Sequence, residues 1–284
     1  MDNKLFFHHI KLTFMKNIRH FVIFLACCAC MLCSCSKNGS SNENELKYEI
    51  IHLEKQSEGC DSLTQDNCAK IKYDFPRITS FDNEKVKEKI NKSINELFSM
   101  NENADPDSIN FEEEMNSFIS DYEEFTKEFP ESFQSWFIEK SSDVKLNKGN
   151  IFSIDYTEYS YTGGAHANTM VEFRNYKLSD GDEITLDEII TPVNQKELTK
   201  IGEVEFRKVK ELTAEADLGQ AGFWFENNEF YLNDNFLITD SSLVFYYNDY
   251  EITAYAYGPT ELIIPYSKIK TLIDDKSLIK PLIE

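Results

Sequence analysis

The sequence predicts an α+β protein, with antiparallel sheets, helices packed on one face, and two consecutive modules. Three observations lead there. Segments with apolar residues at every second position gather in blocks, at about 133–178 and 236–264. Segments with helical spacing sit between these blocks and do not alternate with single strands, which argues against regular βαβ units. Aromatic residues make up 13% of the chain, against only 10 Gly and 7 Pro in 284 residues, a composition that supports packed cores.

The first module is expected over 46–180. Residues 46–53 and 69–75 read as strands, the second ended by Pro76. Val86, Ile90, Ile94, Leu97 and Phe98 recur at helical spacing behind Asp82, the expected N-cap. Phe111, Met115, Phe118, Tyr122, Phe125 and Phe129 then step by threes and fours along a second helix, with acids opposite. That aromatic stripe is a core face or a docking face for a partner. Residues 103–107, which include Pro106, break the chain so that the two helices fold back on each other. From Phe133 the period becomes two. Residues 136–146, 151–161 and 166–178 read as an antiparallel meander with turns at 147–150 and 162–165, closed by Asp180-Gly181.

The second module is expected over 181–284. A short strand and turn at 183–190 leads to Pro192, which opens a helix carrying Leu198, Ile201, Phe206, Val209 and Leu212. Residues 219–222 read as a loop. Strands are expected at 236–238, 242–247, 250–257 and 262–264, and Pro265-Tyr266 opens a last short helix with Ile269, Leu272 and Ile273. No fixed-period repeat is visible.

The N-terminus reads as a targeting segment. Lys11, Lys16 and Arg19 precede an apolar stretch, 21–33, that is too short for the roughly 20 apolar residues a spanning helix needs. Met15 would make an ordinary signal start, so Met1 and Met15 are alternative starts. Leu32-Cys33-Ser34-Cys35 matches the bacterial lipoprotein cleavage pattern, giving a signal over 1–34, a lipidated Cys35 and a polar tether over 35–45. A plain secretory signal cut near the same place is the alternative, and Phe24-Leu25-Ala26-Cys27 is a weaker site. The expected partner is therefore a membrane, reached through attached acyl chains, with the domain in the periplasm or at the cell surface.

Five of the seven cysteines lie in that segment. Cys60 and Cys68 remain, in an oxidising compartment, and are expected to form a disulfide, which stabilises a loop of this size by ~2–3 kcal/mol. The formal charge is −21, and it becomes −24 once residues 1–34, with four basic residues and one acidic residue, are removed. Such a surface excludes nucleic acid as a partner and would steer a cationic one. The plain reading of the charge is a well-solvated secreted protein.

The run Tyr161-Thr162-Gly163-Gly164-Ala165-His166, followed by Asn168, is the most distinctive motif. Only His52 and His166 remain beyond the signal. The glycine pair has a structural use, since glycine takes positive φ freely in a tight turn. The functional reading makes Tyr161, Thr162, Gly163, Gly164, His166 and Asn168 a polar recognition surface, with backbone N–H groups able to hold an anion. Tyr255 and Tyr257 join the candidates, because on alternating strands half of a tyrosine cluster must face outward.

Residues 154–156 leading into Tyr161–Asn168 resemble the end of the PdaC-type N-terminal module. Leu243-Val244-Phe245-Tyr246-Tyr247, Tyr250-Glu251-Ile252, Ala254-Tyr255-Ala256-Tyr257-Gly258 and Ile264-Pro265-Tyr266 resemble the companion module of RsiV-like proteins. Together the two would cover about 46–274. The resemblance implies an extracytoplasmic protein. RsiV-like anti-sigma proteins present the pair as a receptor for lysozyme, and PdaC-like enzymes carry it beside a separate polysaccharide deacetylase domain. No counterpart of that catalytic domain, of the sigma-binding segment or of the transmembrane helix is recognised in this sequence.

No cofactor and no metal are expected. There is no His-x-x-x-His, Gly-x-Ser-x-Gly elbow, Walker loop or dinucleotide fingerprint. Paired carboxylates are too common here to mark a site; Asp155 and Glu158, which precede the glycine run, are one example that could serve as acid and base on a glycan. The leading expectation is a lipid-anchored, non-catalytic envelope protein that binds a lysozyme-like protein or a peptidoglycan glycan. An envelope hydrolase, deacetylase or accessory subunit is the alternative, and a structural lipoprotein without a ligand is the third.

Overall fold

The structure, a computed structural model, describes residues 45–60, 67–101 and 103–284. The signal segment, Cys35 and residues 35–44 of the tether lie outside the described residues. Among the described residues no helix is long and apolar enough to cross a membrane.

The chain forms β1 (Lys47–Gln56), β2 (Ala69–Ser80), α1 (Glu84–Phe98), α2 (Phe111–Glu128), β3 (Trp136–Ser141), β4 (Val144–Lys148), β5 (Ile151–Tyr161) and β6 (Asn168–Lys177) in its first half. The second half adds α3 (Pro192–Val209), β7 (Phe236–Ile238), β8 (Ser242–Tyr247), β9 (Thr260–Pro265), α4 (Tyr266–Ile269) and a final turn of helix. The architecture is the mixed α and β arrangement that the sequence predicts, in two consecutive modules.

β1 to β6 make one sheet and β7-β8-β9 a second. β3, β5 and β6 pair antiparallel, as a meander should. The 136–146 strand is instead two strands, β3 and β4, that pair with the two halves of β5 and break at Ser142-Asp143, where Asp155 Oδ1 accepts from the Asp143 N–H at 2.7 Å. β2 and β3 run parallel, Ala69 opposite Trp136 through Asp74 opposite Ser141. Two helices intervene between them, and a crossover of that length returns the chain to the end from which β2 started. Pro76 does not end β2. The β3 pairing stops at Asp74, so Pro76 lies where β2 has become an edge strand, and a missing N–H there breaks no ladder.

The helices cover one face of the large sheet. α1 buries Val86, Ile90, Ile94 and Phe98, and its N-cap is Asn83 rather than Asp82, with Asn83 Oδ1 accepting from Val86 N–H. α2 buries Met115, Phe118, Ile119 and Tyr122, so the aromatic stripe is a core face. Phe98 meets Phe75 at 4.8 Å and Tyr156 at 5.2 Å between ring centres. Lys140 is buried in this core. Its ammonium donates to the carbonyls of Phe98 and Ser99 at 3.1 and 3.0 Å, capping the C-terminus of α1. Burial holds the Lys140 amine below its ordinary value, and Glu158, 3.5 Å away, opposes that.

The second core centres on Phe206 of α3, ringed by Phe223, Phe225 and Phe230 at 5.0–5.4 Å. Gly202 lets this packing close, since a Cβ there would lie 2.9 Å from Leu232 Cδ2. Leu146 and Ile151, from the β4–β5 hairpin of the first module, are buried in this second core. Residues 183–190 form a bridge at Glu183 and a 3₁₀ turn rather than a strand. Residues 250–257 also fail to form a strand. Tyr250 has φ +64 and Tyr255–Tyr257 is a 3₁₀ turn, a backbone path that cannot stay extended. Cys60 and Cys68 are disulfide-bonded, with Cα atoms 5.2 Å apart.

The modules meet along β6, the edge of the large sheet, where backbone pairing is confined to a bridge between Tyr176 and Glu183. Asn248 clasps Val171, accepting from its N–H at 2.7 Å and donating to its carbonyl at 2.9 Å. Asn235 accepts from Phe173 N–H at 2.9 Å and donates to Val171 O at 2.8 Å. Asn175, buried on β6, donates to Phe236 O at 2.7 Å and accepts from Ile238 N–H at 2.8 Å. Phe173, Leu237 and Val244 pack beside these amides. Below them, Lys177 bonds Glu188 at 2.8 Å. Burial alone would raise the Glu188 carboxyl, but the hydrogen bonds from Lys177 and the Thr185 backbone prevail and hold it below its usual value.

Two outcomes are expected. Asn175→Ala leaves two buried backbone groups unpaired and should cost about 2–4 kcal/mol in urea unfolding; a loss below about 1 kcal/mol would show that the junction does not depend on it. Glu188 stabilises the fold while ionised, so its contribution is present above about pH 4.5 and lost as the pH falls through its lowered folded value. The stability gap between wild type and Glu188→Gln at neutral pH should therefore close in acid, and a gap that persists below about pH 3 would contradict it.

Candidate functional site

The β5–β6 hairpin carries the glycine motif to the seam between the modules. β5 and β6 are paired from Ile151–Lys177 to Ser160–Asn168, so Asn168 is exposed at the hairpin mouth. The turn beyond it needs its glycines. Gly163 and Gly164 have φ of +112 and +113, and a Cβ at Gly163 would also sit 2.7 Å from Gln134 Oε1. Tyr161 donates to Gly164 O at 3.0 Å and packs its ring on Phe137, with centres 5.6 Å apart. Thr162 is exposed.

His166 is placed by this turn, outside β6, and its ring lies flat on Tyr255 with centres 4.0 Å apart and planes 15° apart. Nδ1 is 2.8 Å from the Ala167 carbonyl, which only accepts, so Nδ1 carries the proton. Nε2 then accepts from the Tyr250 hydroxyl at 3.4 Å. Tyr250 in turn stacks on Tyr255 at 5.5 Å. Three aromatic rings from two modules thus form one stack. Tyr250 is two residues from Asn248, so the clasp on Val171 also fixes the stack.

Not all candidate residues converge. Tyr161, Gly163, Gly164 and His166 share the hairpin turn and Tyr255 joins them across the seam. Tyr257 stands beside Gly222 instead, 67% exposed. Two exposed residues lie outside the sequence-based set: Tyr250, 54% exposed, which joins the stack, and Trp224, 55% exposed, whose backbone N–H donates to Ile252 O at 2.8 Å. Nothing local in the sequence marks Trp224, because its neighbours Phe223 and Phe225 are both core residues.

Asp155 and Glu158 do not form an acid–base pair. Three residues apart on an unbroken β5, they point to opposite faces of the sheet. Asp155 bonds Lys145 at 2.7 Å, whereas Glu158 turns inward to Lys140 and accepts from Tyr156 Oη at 2.8 Å. Among the described residues no group of three or more His, Cys, Asp or Glu is placed to hold a metal ion.

Residues 63–169 match the family model described as Deacetylase PdaC, and residues 187–267 match that described as Protein of unknown function (DUF3298). Both sequence resemblances fall inside these spans. The fold is similar to the crystal structure of a DUF3298-family protein from Bacteroides fragilis, at 22% identity and a TM-score of 0.68, over 85% of this chain and 98% of that one. A DUF3298-family protein from Pseudomonas aeruginosa is similar at 18% identity and a TM-score of 0.56, over 82% and 97%. No curated protein matches the chain. The two families point to an extracytoplasmic, envelope-associated protein.

Replacing either glycine of the turn should show how tightly it is built. Gly163→Ala and Gly164→Ala should each cost about 1–2 kcal/mol, lowering Tm by about 2–8 °C in a chain of this size. Thermal melts indistinguishable from wild type would show that the turn adapts.

Proposed function

We propose that this chain, which joins a PdaC-type module to a DUF3298 module, is a lipid-anchored binding protein of the cell envelope that holds a basic, lysozyme-like protein without chemically altering it. The observation that carries this is the aromatic surface at the seam. His166, Tyr250 and Tyr255 stand exposed there in one stack, and Trp224 and Tyr257 are also exposed on the second module. Tyrosine and tryptophan in fixed positions give large contact area at low entropic cost, and they dominate protein-binding energetics. They sit on a body whose net charge is strongly negative, which favours encounter with a cationic protein. The RsiV-like resemblance gives the same class of partner. The anchor at Cys35 would hold this surface outside the membrane.

The hydrolase or deacetylase alternative draws no support from Asp155 and Glu158, which point to opposite faces of the sheet.

Titration of a basic lysozyme into the purified protein tests the reading. Binding should be measurable at low ionic strength and weaken at least tenfold between about 50 and about 500 mM salt, as the Debye length shrinks. Trp224→Ala and Tyr255→Ala should each weaken it by about 30-fold, the effect of a residue worth about 2 kcal/mol. Absence of binding at low salt would remove the proposal. Binding indifferent to both substitutions would move it away from this surface.

A further inference from the structure

We propose that the open edge of β1 docks a second copy of this chain, the two β1 strands pairing antiparallel about a twofold axis at His52. β1 is the last strand of the large sheet and pairs only with β2. Its register there is unbroken from Tyr48 opposite Ile78 to Gln56 opposite Lys70. Ser57 N–H bonds Ala69 O at 2.9 Å, so the odd-numbered residues of β1 face β2. The even-numbered residues of β2 agree, since Asp74 O bonds Ser142 N–H and both backbone groups of Ile78 bond the Asn91 amide. Tyr48, Ile50, His52, Glu54 and Gln56 therefore turn their N–H and C=O groups to the open edge, where these groups have no partner among the described residues.

Two features select a second copy and its register. The first is the extent of the open edge. At one end the Asn147 amide closes it, donating to Leu46 O at 2.8 Å and accepting from Leu46 N–H at 3.1 Å. At the other end the strand stops at Gln56. The open stretch is 48–56, and His52 is its midpoint. The same stretch laid antiparallel across it sets His52 on His52, Ile50 on Glu54 and Tyr48 on Gln56. Each pair joins two outward-facing residues, as an antiparallel ladder requires. The second feature is the side chains. In this register Glu49 lies opposite Lys55 and Ile51 opposite Leu53, each pair twice. A ladder centred on Ile51 would oppose Lys47 to Lys55, and one centred on Leu53 would leave Glu49 beyond the strand.

The edge also leaves apolar surface to cover. Ile51 and Leu53 are only partly buried against the first core, and Tyr48 and Ile50 are 41% and 37% exposed. Between 48 and 56 the strand has no proline and no bulge, two features that keep exposed edges from pairing. The negative net charge opposes association, but that repulsion is screened by salt, whereas ladder bonds and apolar contacts act at short range. β2, β3 and β5 separate β1 from β6, so a dimer of this kind is independent of the seam.

Sedimentation equilibrium of the purified protein in about 500 mM salt, where the Debye length is only a few ångströms, should show a reversible monomer–dimer equilibrium at micromolar concentrations. His52→Pro removes an N–H that faces the open edge and none that bonds β2, so the variant should keep its circular dichroism and Tm yet dimerise about tenfold more weakly or worse. Glu49→Lys should weaken the dimer about fivefold, although it makes the net charge less negative, and adding Lys55→Glu should restore it. In hydrogen exchange the amides of Ile50, His52 and Glu54 should be protected only where the dimer forms, and those of Ile51 and Leu53 at every concentration. A monomer throughout, a dimer with those three amides unprotected, or a folded His52→Pro variant of wild-type affinity would overturn the proposal. A second substitution that fails to rescue Glu49→Lys would overturn the register.

Discussion

The seam along β6 is the constraint on which the rest of this molecule depends. An edge strand exposes a row of N–H and C=O groups, and one that is neither paired nor covered invites pairing with another chain. Here side-chain amides take the place of a seventh strand. Asn248 and Asn235 close the edge groups of Val171 and Phe173, and Asn175 reaches back to the edge of β7. An asparagine amide offers a donor and an acceptor side by side, as a peptide group does, so it can close one peptide of an edge without imposing strand register. The second module is thus joined to the first without a continuous ladder. The stack of His166 on Tyr255 depends on that junction, since neither module alone supplies both rings.

The two cores handle polar groups differently. The second is almost wholly aromatic and aliphatic around Phe206. The first admits a lysine. Lys140 gains two carbonyls of α1 and a carboxylate, and its ammonium lies 5.5 Å from the centre of the Tyr73 ring. The same side chain thus ends a helix and fixes that helix to the sheet. This explains why a charged residue persists in a layer otherwise made of Ile71, Phe75, Phe98 and Tyr156.

Much of this was legible in the amino-acid order. The period-two blocks gave β5, β6 and β8, the helical stripes gave α1, α2 and α3, and the glycine pair marked a turn that does require positive φ. What stayed hidden is long-range or conformational. Nothing local announces that β2 pairs with β3, because some 60 residues separate them and parallel partners share no turn. Asn235 and Asn248 sit next to aspartates at strand ends, where asparagine normally signals a turn, so their role as bridges has no distinguishing pattern. Residues 250–257 mimic strand alternation, with Ile252, Ala254 and Ala256 on one parity and Tyr255 and Tyr257 on the other, but the positive φ at Tyr250 diverts the chain. That diversion is what brings Tyr250 and Tyr255 to His166. The site was thus partly readable: its hairpin side from the motif and Tyr255 from the tyrosine cluster, but the joining of the two, and the part played by Tyr250, only from the fold.

The burial of Leu146 and Ile151 in the second core bears on how the chain comes to be assembled. A polypeptide is made N-terminus first, and its early domains usually fold as they appear. Here the β4–β5 hairpin emerges long before Phe206, Phe245 or Ile279 exist to cover its tip. Until those residues arrive, Leu146 and Ile151 have no core to enter, so the first half is completed only by residues as far along the chain as Ile279.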